Sequence, residues 1–405
     1  MRRRRRMVAM ALAGAWVLLG ATTAVRAGDV DGDGVSDAVD VCSNTPAGTE
    51  VDGQGRPLGD IDQDCDTDLE DHSLFQQGFT GPLAPFVLMA PIPGGEFEMG
   101  DSFGEGDADE LPVHDVHLGT YHIDVYQVTN RQYAAALNWA WTQGGLIALI
   151  DDVVYQAGSG TSYPYCVLDT YDGYSRIHWD GAAFTVSAGK EDHPMVKVSW
   201  YGAVAYCNWR GAVEGKPPCY ELVTWTCDYT CPGYRLPTEA EWEKAAGWDA
   251  DQERHFRFGE HTDGCGDACL DGQRANYWES GDPFEVGVHP QTTPVGFFNG
   301  ELHYRADFGW PGSDTSYQTQ DARSYYGCYD MSGGVWEWCH DWYDADYYGS
   351  SPYGSPTGPA AGTHRVVRGG VWNTTAAYCR SAKRHQGTPE DCSYDVGFRC
   401  VTGGM

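Results

Sequence analysis

The chain has 405 residues, with 58 acidic against 26 basic, a net charge of −32. A surface of that sign repels phosphate backbones and anionic bilayers, which excludes a nucleic-acid partner and favours divalent cations as counter-ions. Fifty-two glycines and 21 prolines beside 15 tryptophans and 25 tyrosines describe a chain of turns and aromatic anchors, not one of long helices.

Residues 1–27 open with arginines at Arg2 to Arg6, continue as an apolar stretch from Met7 to Gly20, and end Val25-Arg26-Ala27. A basic start, a short apolar core and a small-x-small end make a secretory signal, cut after Ala27. The apolar run is shorter than the roughly 18 residues of a membrane span, and no later segment is more apolar. The mature protein is therefore expected to be secreted, periplasmic or at the cell surface, with no membrane span. The leader takes six arginines and no acid with it, so the net charge falls from −32 to −38. Fourteen cysteines in an exported chain read as disulfides before reduced thiols. Cys227-x-x-x-Cys231 and Cys265-x-x-x-Cys269 read as local bridges rather than zinc sites.

Residues 28–77 form an acidic module. Asp29, Asp31, Asp33, Asp37 and Asp40 fall at positions 1, 3, 5, 9 and 12 of a loop with Gly34 at position 6. Those are the positions from which an EF-hand-type loop wraps calcium, and glycine permits its sharp turn. The register recurs at Asp60, Asp62, Asp64, Asp68 and Asp71, with Cys65 in the glycine place. The first loop and the following VDVCSNTPAGTEVDGQG resemble a thrombospondin type 3 repeat. The second resembles half of a dockerin, in which Leu74, Phe75 and Phe79 form one apolar face of a short helix. Repeats of the first kind carry a second cysteine near the place held here by Arg56. Cys42 lacks that partner, and the resemblance points to a Cys42–Cys65 disulfide. A linker follows at 78–85.

Residues 86–405 make the large domain. Thr129-Asn-Arg-Gln132 and Thr238-Glu-Ala-Glu241 are capping boxes, and Ser199 can cap the run WYGAVAYCNW, so three helices are expected. Strands are expected at His117 to Val125, Met195 to Val198, Arg365 to Val367 and Gly397 to Val401. His114 and His117 fall on opposite faces of a strand, with His122 beyond them, so they make no facial iron triad.

Six motifs then appear in order. They are Ile92-Pro-Gly-Gly-Glu-Phe-Glu-Met-Gly100, Val128-Thr-Asn130, Gly233-Tyr-Arg-Leu-Pro-Thr-Glu-Ala-Glu-Trp242, Tyr329-Asp-Met-Ser-Gly-Gly-Val-Trp-Glu-Trp338, Arg368-Gly-Gly370 and Gly397-Phe-Arg399. Together they resemble the formylglycine-generating enzyme, or sulfatase-modifying factor, family across the large domain. The resemblance implies an α+β, modified C-type-lectin-like fold with little regular secondary structure, stabilised by calcium. It implies a calcium site at Asp330 and Glu337 with the carbonyls of Gly333 and Val335. A second site is implied at Asn276 and the Tyr277 carbonyl, without Asp282 or Phe284, which follow much more closely than in the family. A Cys207–Cys400 disulfide is implied as well.

Active members of the family hold Cu(I) between two cysteines five residues apart after the double glycine. Here Thr374 stands at the first position and Cys379 at the second, and Val371 replaces a serine. A hydroxyl is a hard, high-pKa oxygen and no substitute for a soft thiolate at Cu(I). Cys379 is then the lone remnant of the catalytic pair, and a disulfide half or a buried thiol. The leading expectation is a secreted calcium-binding protein that works as a binding or structural module without copper. Its N-terminal module would meet a cohesin-like or cell-surface partner, and its large domain a protein or glycan ligand. The alternative is a formylglycine-generating oxidase acting on a sulfatase cysteine, with Cys392 or Cys339 supplying the second ligand, or a related non-haem metal oxidase.

Overall fold

A computed structural model describes residues 87–169, 174–259, 270–286 and 291–404. The leader, the ten aspartates of the acidic module, Cys42, Cys65, Cys265 and Cys269 lie outside the described residues.

The three helices start where the sequence caps them. In α1 (Asn130–Gln143) the Thr129 hydroxyl accepts from Gln132 N, and the Gln132 side chain accepts from Thr129 N at 2.9 Å. Tyr133, Ala134, Leu137 and Ala140 turn inward at helical spacing. Ser199 caps α2 (Trp200–Val213), which is buried from Trp200 to Gly211 and forms the central rod of the domain. Thr238 caps α3 (Glu239–Gly247) in a second reciprocal box. Arg235, just before it, grips Glu241 at 2.6 Å with both groups buried.

Two four-stranded sheets organise the rest. The first runs β1 (Met89–Ile92), β2 (Tyr121–Asp124), β8 (Val401–Gly403) and β3 (Tyr234–Arg235) in spatial order, so the C-terminus is stitched between the first and middle thirds of the chain. The second runs β6 (His385–Gly387), β5 (Arg365–Arg368), β4 (Trp336–Trp342) and β7 (Val396–Gly397). The α2 helix packs on the Pro164–Val167 strand and β3, and α3 packs on β4 and β5. The indoles of the β4 segment explain its sequence. Trp338 Nε1 reaches Val198 O at 3.1 Å, while Trp200 Nε1 returns the favour to Cys339 O at 3.0 Å. Each ring thus buries its apolar body and still satisfies its single donor.

Three expected strands are corrected. His117 to Val125 is two strands, His114–Leu118 and Tyr121–Asp124, broken at Gly119-Thr120. Met195 to Val198 makes only a single bridge, Val198 to Cys166, because Lys197 sits at φ 60° and breaks the extended run. Gly397 to Val401 is divided between β7 and β8, so Phe398 to Cys400 crosses from one sheet to the other. His114 and His117 lie on a two-stranded hairpin with Met99 and Glu96 opposite, whereas His122 lies in the first sheet opposite Pro91.

Candidate functional site: an aromatic cleft beside the double glycine

The β5 strand delivers Arg368 into the core, where it is fully buried. Its guanidinium donates to Ser381 O at 2.8 Å, Ala382 O at 2.8 Å and Lys383 O at 2.7 Å, and pairs with Glu243. That clamp fixes the turn at 381–383, just before β6, under the loop. Gly370 has φ 79°, and a Cβ there would stand 2.7 Å from the Cα of Cys379, so only glycine lets the loop lie flat on the Ala376–Cys379 turn.

The two copper positions are then visible. Cys379 is fully buried with its Sγ 4.0 Å from Thr375 O. Thr374 is half-buried and donates its hydroxyl to Val371 O at 3.1 Å, while its own carbonyl accepts from Trp278 N at 2.9 Å. The hydroxyl is satisfied locally, and a hard oxygen stands where a thiolate would be needed. The residues present do not fit a Cu(I) dithiolate. Of the two sulfurs considered as replacements, Cys339 lies buried on β4 within the core that holds Trp242 and Tyr348. Cys392 is half-buried in the turn after Glu390.

Trp372 and Asn373 stand at the centre of an open cleft. One lobe, of about 440 Å³, is completed by Trp278, Glu285 and Gln291. The other, of about 280 Å³, is completed by Tyr174 and Tyr394. The cysteine spacing carries no sign of this cleft. The signal available was the tryptophan and asparagine that follow the double glycine.

The calcium positions divide. Glu337 is fully buried and each of its oxygens accepts twice. Oε1 takes Gln127 Nε2 at 2.9 Å and Arg399 Nη2 at 2.7 Å; Oε2 takes Trp242 Nε1 at 2.8 Å and Arg399 Nε at 2.7 Å. A guanidinium thus holds the carboxylate that calcium would need, and Asp330 accepts from Gly296 N at 2.7 Å. Gly333 donates its N–H to Gly369 O, and Val335 is buried behind it. Asp330 is equally buried, with its carboxyl pushed up to about 6 by that burial, so the loop commits one of its two carboxylates to a guanidinium and leaves the other without an ion pair among the described residues.

Around Asn276 the geometry is different. Asp282 is buried, accepts from Ser280 Oγ at 2.7 Å and Phe284 N at 2.8 Å, and lies 3.5 Å from the Asn276 amide. Among the described residues no lysine, arginine or histidine pairs with it, and burial pushes its carboxyl up to about 7. The Asn276 amide turns its NH2 toward Asp282 and donates it to Gln291 O at 2.8 Å, and the Tyr277 carbonyl accepts from Ser280 N at 3.1 Å, so the donor facing calcium here is the buried Asp282 carboxylate, a hard oxygen of the kind that ion takes. The short sequence spacing had excluded Asp282; the Ser280-Gly281 turn brings it back, Gly281 standing at φ 81°.

Among the cysteines, the Cys207 and Cys400 sulfurs face each other at 3.6 Å in the core, a contact without a bond. Cys231 bonds Cys219, not Cys227. The expected Cys227–Cys231 bridge is thereby corrected: the Cys219–Cys231 bond closes the end of the Tyr220–Glu221/Thr226–Cys227 hairpin, leaving Cys227 on its second strand. No helix among the described residues is long and apolar enough to cross a membrane.

A sulfatase-modifying factor enzyme 1-like domain model matches residues 82–403. The chain is 33% identical over 332 residues to the formylglycine-generating enzyme of Streptomyces coelicolor, covering 76% of this chain and 87% of that one. It is 28% identical over 340 residues to the inactive Cα-formylglycine-generating enzyme 2 of Bos taurus, covering 78% and 88%. Its fold resembles that of the Treponema denticola variable protein 1, with a TM-score of 0.51 and 22% identity over 78% of this chain and 94% of that one. With the motifs, the clamp beneath the double glycine and these likenesses in agreement, the chain belongs to the sulfatase-modifying factor enzyme 1-like family.

Proposed function

We propose that this protein is an exported binding module built on the formylglycine-generating enzyme scaffold, with calcium as a structural ion and no copper chemistry. The observation that carries this reading is Thr374. Its hydroxyl is turned to Val371 O at 3.1 Å in the place of a copper thiolate, beside a cleft lined by aromatic rings. A relative named as inactive is consistent with a scaffold that outlives its chemistry. Calcium is proposed at Asn276 and Asp282, and in the two loops of residues 28–77, which would attach the protein to a cohesin-like or cell-surface partner. The test is metal analysis of the purified, exported protein. The reading expects calcium and no copper, and calcium content falling when residues 28–77 are deleted. Stoichiometric copper would overturn it.

The second reading, a formylglycine-generating oxidase, is favoured by Cys379 at the second copper position and by the identity to the Streptomyces enzyme. It requires oxidation of a sulfatase-type cysteine peptide under oxygen, with loss of that activity in Cys379→Ala.

A further inference from the structure

Charge selects the ligand of the cleft. In the smaller lobe the Tyr174 and Tyr394 rings stand 5.3 Å apart, and Tyr394 is 6.0 Å from Trp372. Lys197 Nζ lies 5.6 Å from the first tyrosine ring and 5.7 Å from the second. That ammonium already occupies the cation-binding side of both rings, so a second cation is repelled from this lobe. In the larger lobe the Glu285 carboxylate is held on the backbone N–H groups of Glu279 and Gly281, the second at 2.7 Å. It presents its remaining lone pairs to the cleft, and an anion is repelled there, the more so by a chain of net charge −32. A ligand spanning both lobes therefore carries no net charge of either sign.

Its shape and hydrogen bonding follow from the walls. Trp278 is 53% exposed and Tyr174 36%, so both side chains reach solvent at the cleft. The Asn373 amide makes no hydrogen bond among the described residues, and an amide offers both donors and an acceptor. None of the lining residues lies in a strand, so the cleft has no sheet edge on which an extended peptide could add. A neutral molecule with flat C–H faces for the rings, and a rim of groups that both donate to a carboxylate and pair with an amide, is a sugar.

Resting on the binding-module reading, we infer that the Trp372–Asn373 cleft binds a neutral oligosaccharide, one ring in each lobe. Asn373 lies between the two rings, and Glu285 accepts from a hydroxyl. The test titrates the full exported chain, by calorimetry and tryptophan fluorescence, with cellotriose, maltotriose and chitotriose. Trigalacturonate serves as the anionic probe, the chitosan trisaccharide as the cationic one, and a neutral tryptophan-containing hexapeptide as the peptide probe. Saturable binding of at least one neutral sugar is expected. Trp278→Ala should weaken it between about two- and tenfold, the range of one lost aromatic contact. Trp141→Ala, at an exposed tryptophan lining neither lobe, should leave it unchanged. Selective binding of the anionic, cationic or peptide probe overturns the inference, as does the absence of any neutral-sugar binding at millimolar concentration. The same preparation is incubated with a sulfatase-type cysteine peptide under oxygen. If that peptide is oxidised, the binding-module reading itself falls; if it is not and no sugar binds, only the ligand class is wrong.

Discussion

Arg399 and Glu337 meet as a fully buried two-pronged ion pair, with Nε and Nη2 each 2.7 Å from a carboxylate oxygen. The remaining Arg399 donors reach Asp124 O at 3.0 Å, Val125 O at 3.1 Å and Tyr329 O at 2.9 Å. One guanidinium therefore ties β4, the end of β2 and the Tyr329 turn together. Glu337→Gln leaves that charge buried without its partner, a loss of about 3–5 kcal/mol. Scanning calorimetry should show a large fall in melting temperature, of equal size in calcium and in chelator. A fall seen only in calcium would make Glu337 a calcium ligand instead.

Asp282 is buried, and among the described residues no lysine, arginine or histidine pairs with it. In wild-type protein calcium should raise the melting temperature, since an ion that binds only the folded state stabilises it by about 2.7 kcal/mol at a hundredfold excess over Kd. Asp282→Asn and Asn276→Ala should each remove most of the part of that gain belonging to the large domain. The measurement is the calcium-dependent melting shift of the chain lacking residues 28–77. An undiminished shift in both variants would place the ion elsewhere.

Asp341 gives the pH dependence. It is buried on β4, accepts from Glu239 N at 2.9 Å, and is pushed up to about 8 by burial first and by the neighbouring Glu239 and Glu241 second, against the opposing charge of Arg365. The unfolded carboxyl ionises near 4, whereas the folded one keeps its proton until about 8. Between those limits the unfolded state binds fewer protons, so the Asp341 contribution to stability is full below pH 4 and is lost as pH rises to 8. Asp341→Asn should flatten the decline in urea-unfolding stability across that window relative to wild type. A parallel decline in the variant would assign the dependence to other groups.

Peptide mapping under non-reducing conditions should recover Cys219 linked to Cys231, and Cys227→Ser should leave that link intact. Closing a separation of 12 residues restricts the unfolded chain by about 3 kcal/mol in the entropic account. Cys231→Ser should cost about that much, whereas Cys227→Ser should cost far less. Recovery of a Cys227–Cys231 peptide would reverse the assignment.

Helix starts were legible because capping is local: Thr129, Ser199 and Thr238 each satisfy an N–H within three residues, and all three helices begin there. Strand ends were less so, since a positive φ at Lys197 is imposed by its neighbours and not by lysine. The Thr374 substitution was readable from spacing alone. The partner of Glu337 was not, because Arg399 lies 62 residues further on and only the parallel pairing of β4 with β7 brings them together. Asp282 was excluded on spacing that a glycine turn makes irrelevant. The cleft is built from four separate stretches of chain, and no window of sequence contains it.

With a threonine hydroxyl in the place of a thiolate, the reduced, purified protein is expected to lose a Cu(I) titration in competition with a chromophoric chelator. Wild type should leave the chelator's copper untouched, and Thr374→Cys combined with Val371→Ser should withdraw about one equivalent. One equivalent taken up by the unmodified protein, and lost in Cys379→Ala, would contradict that expectation.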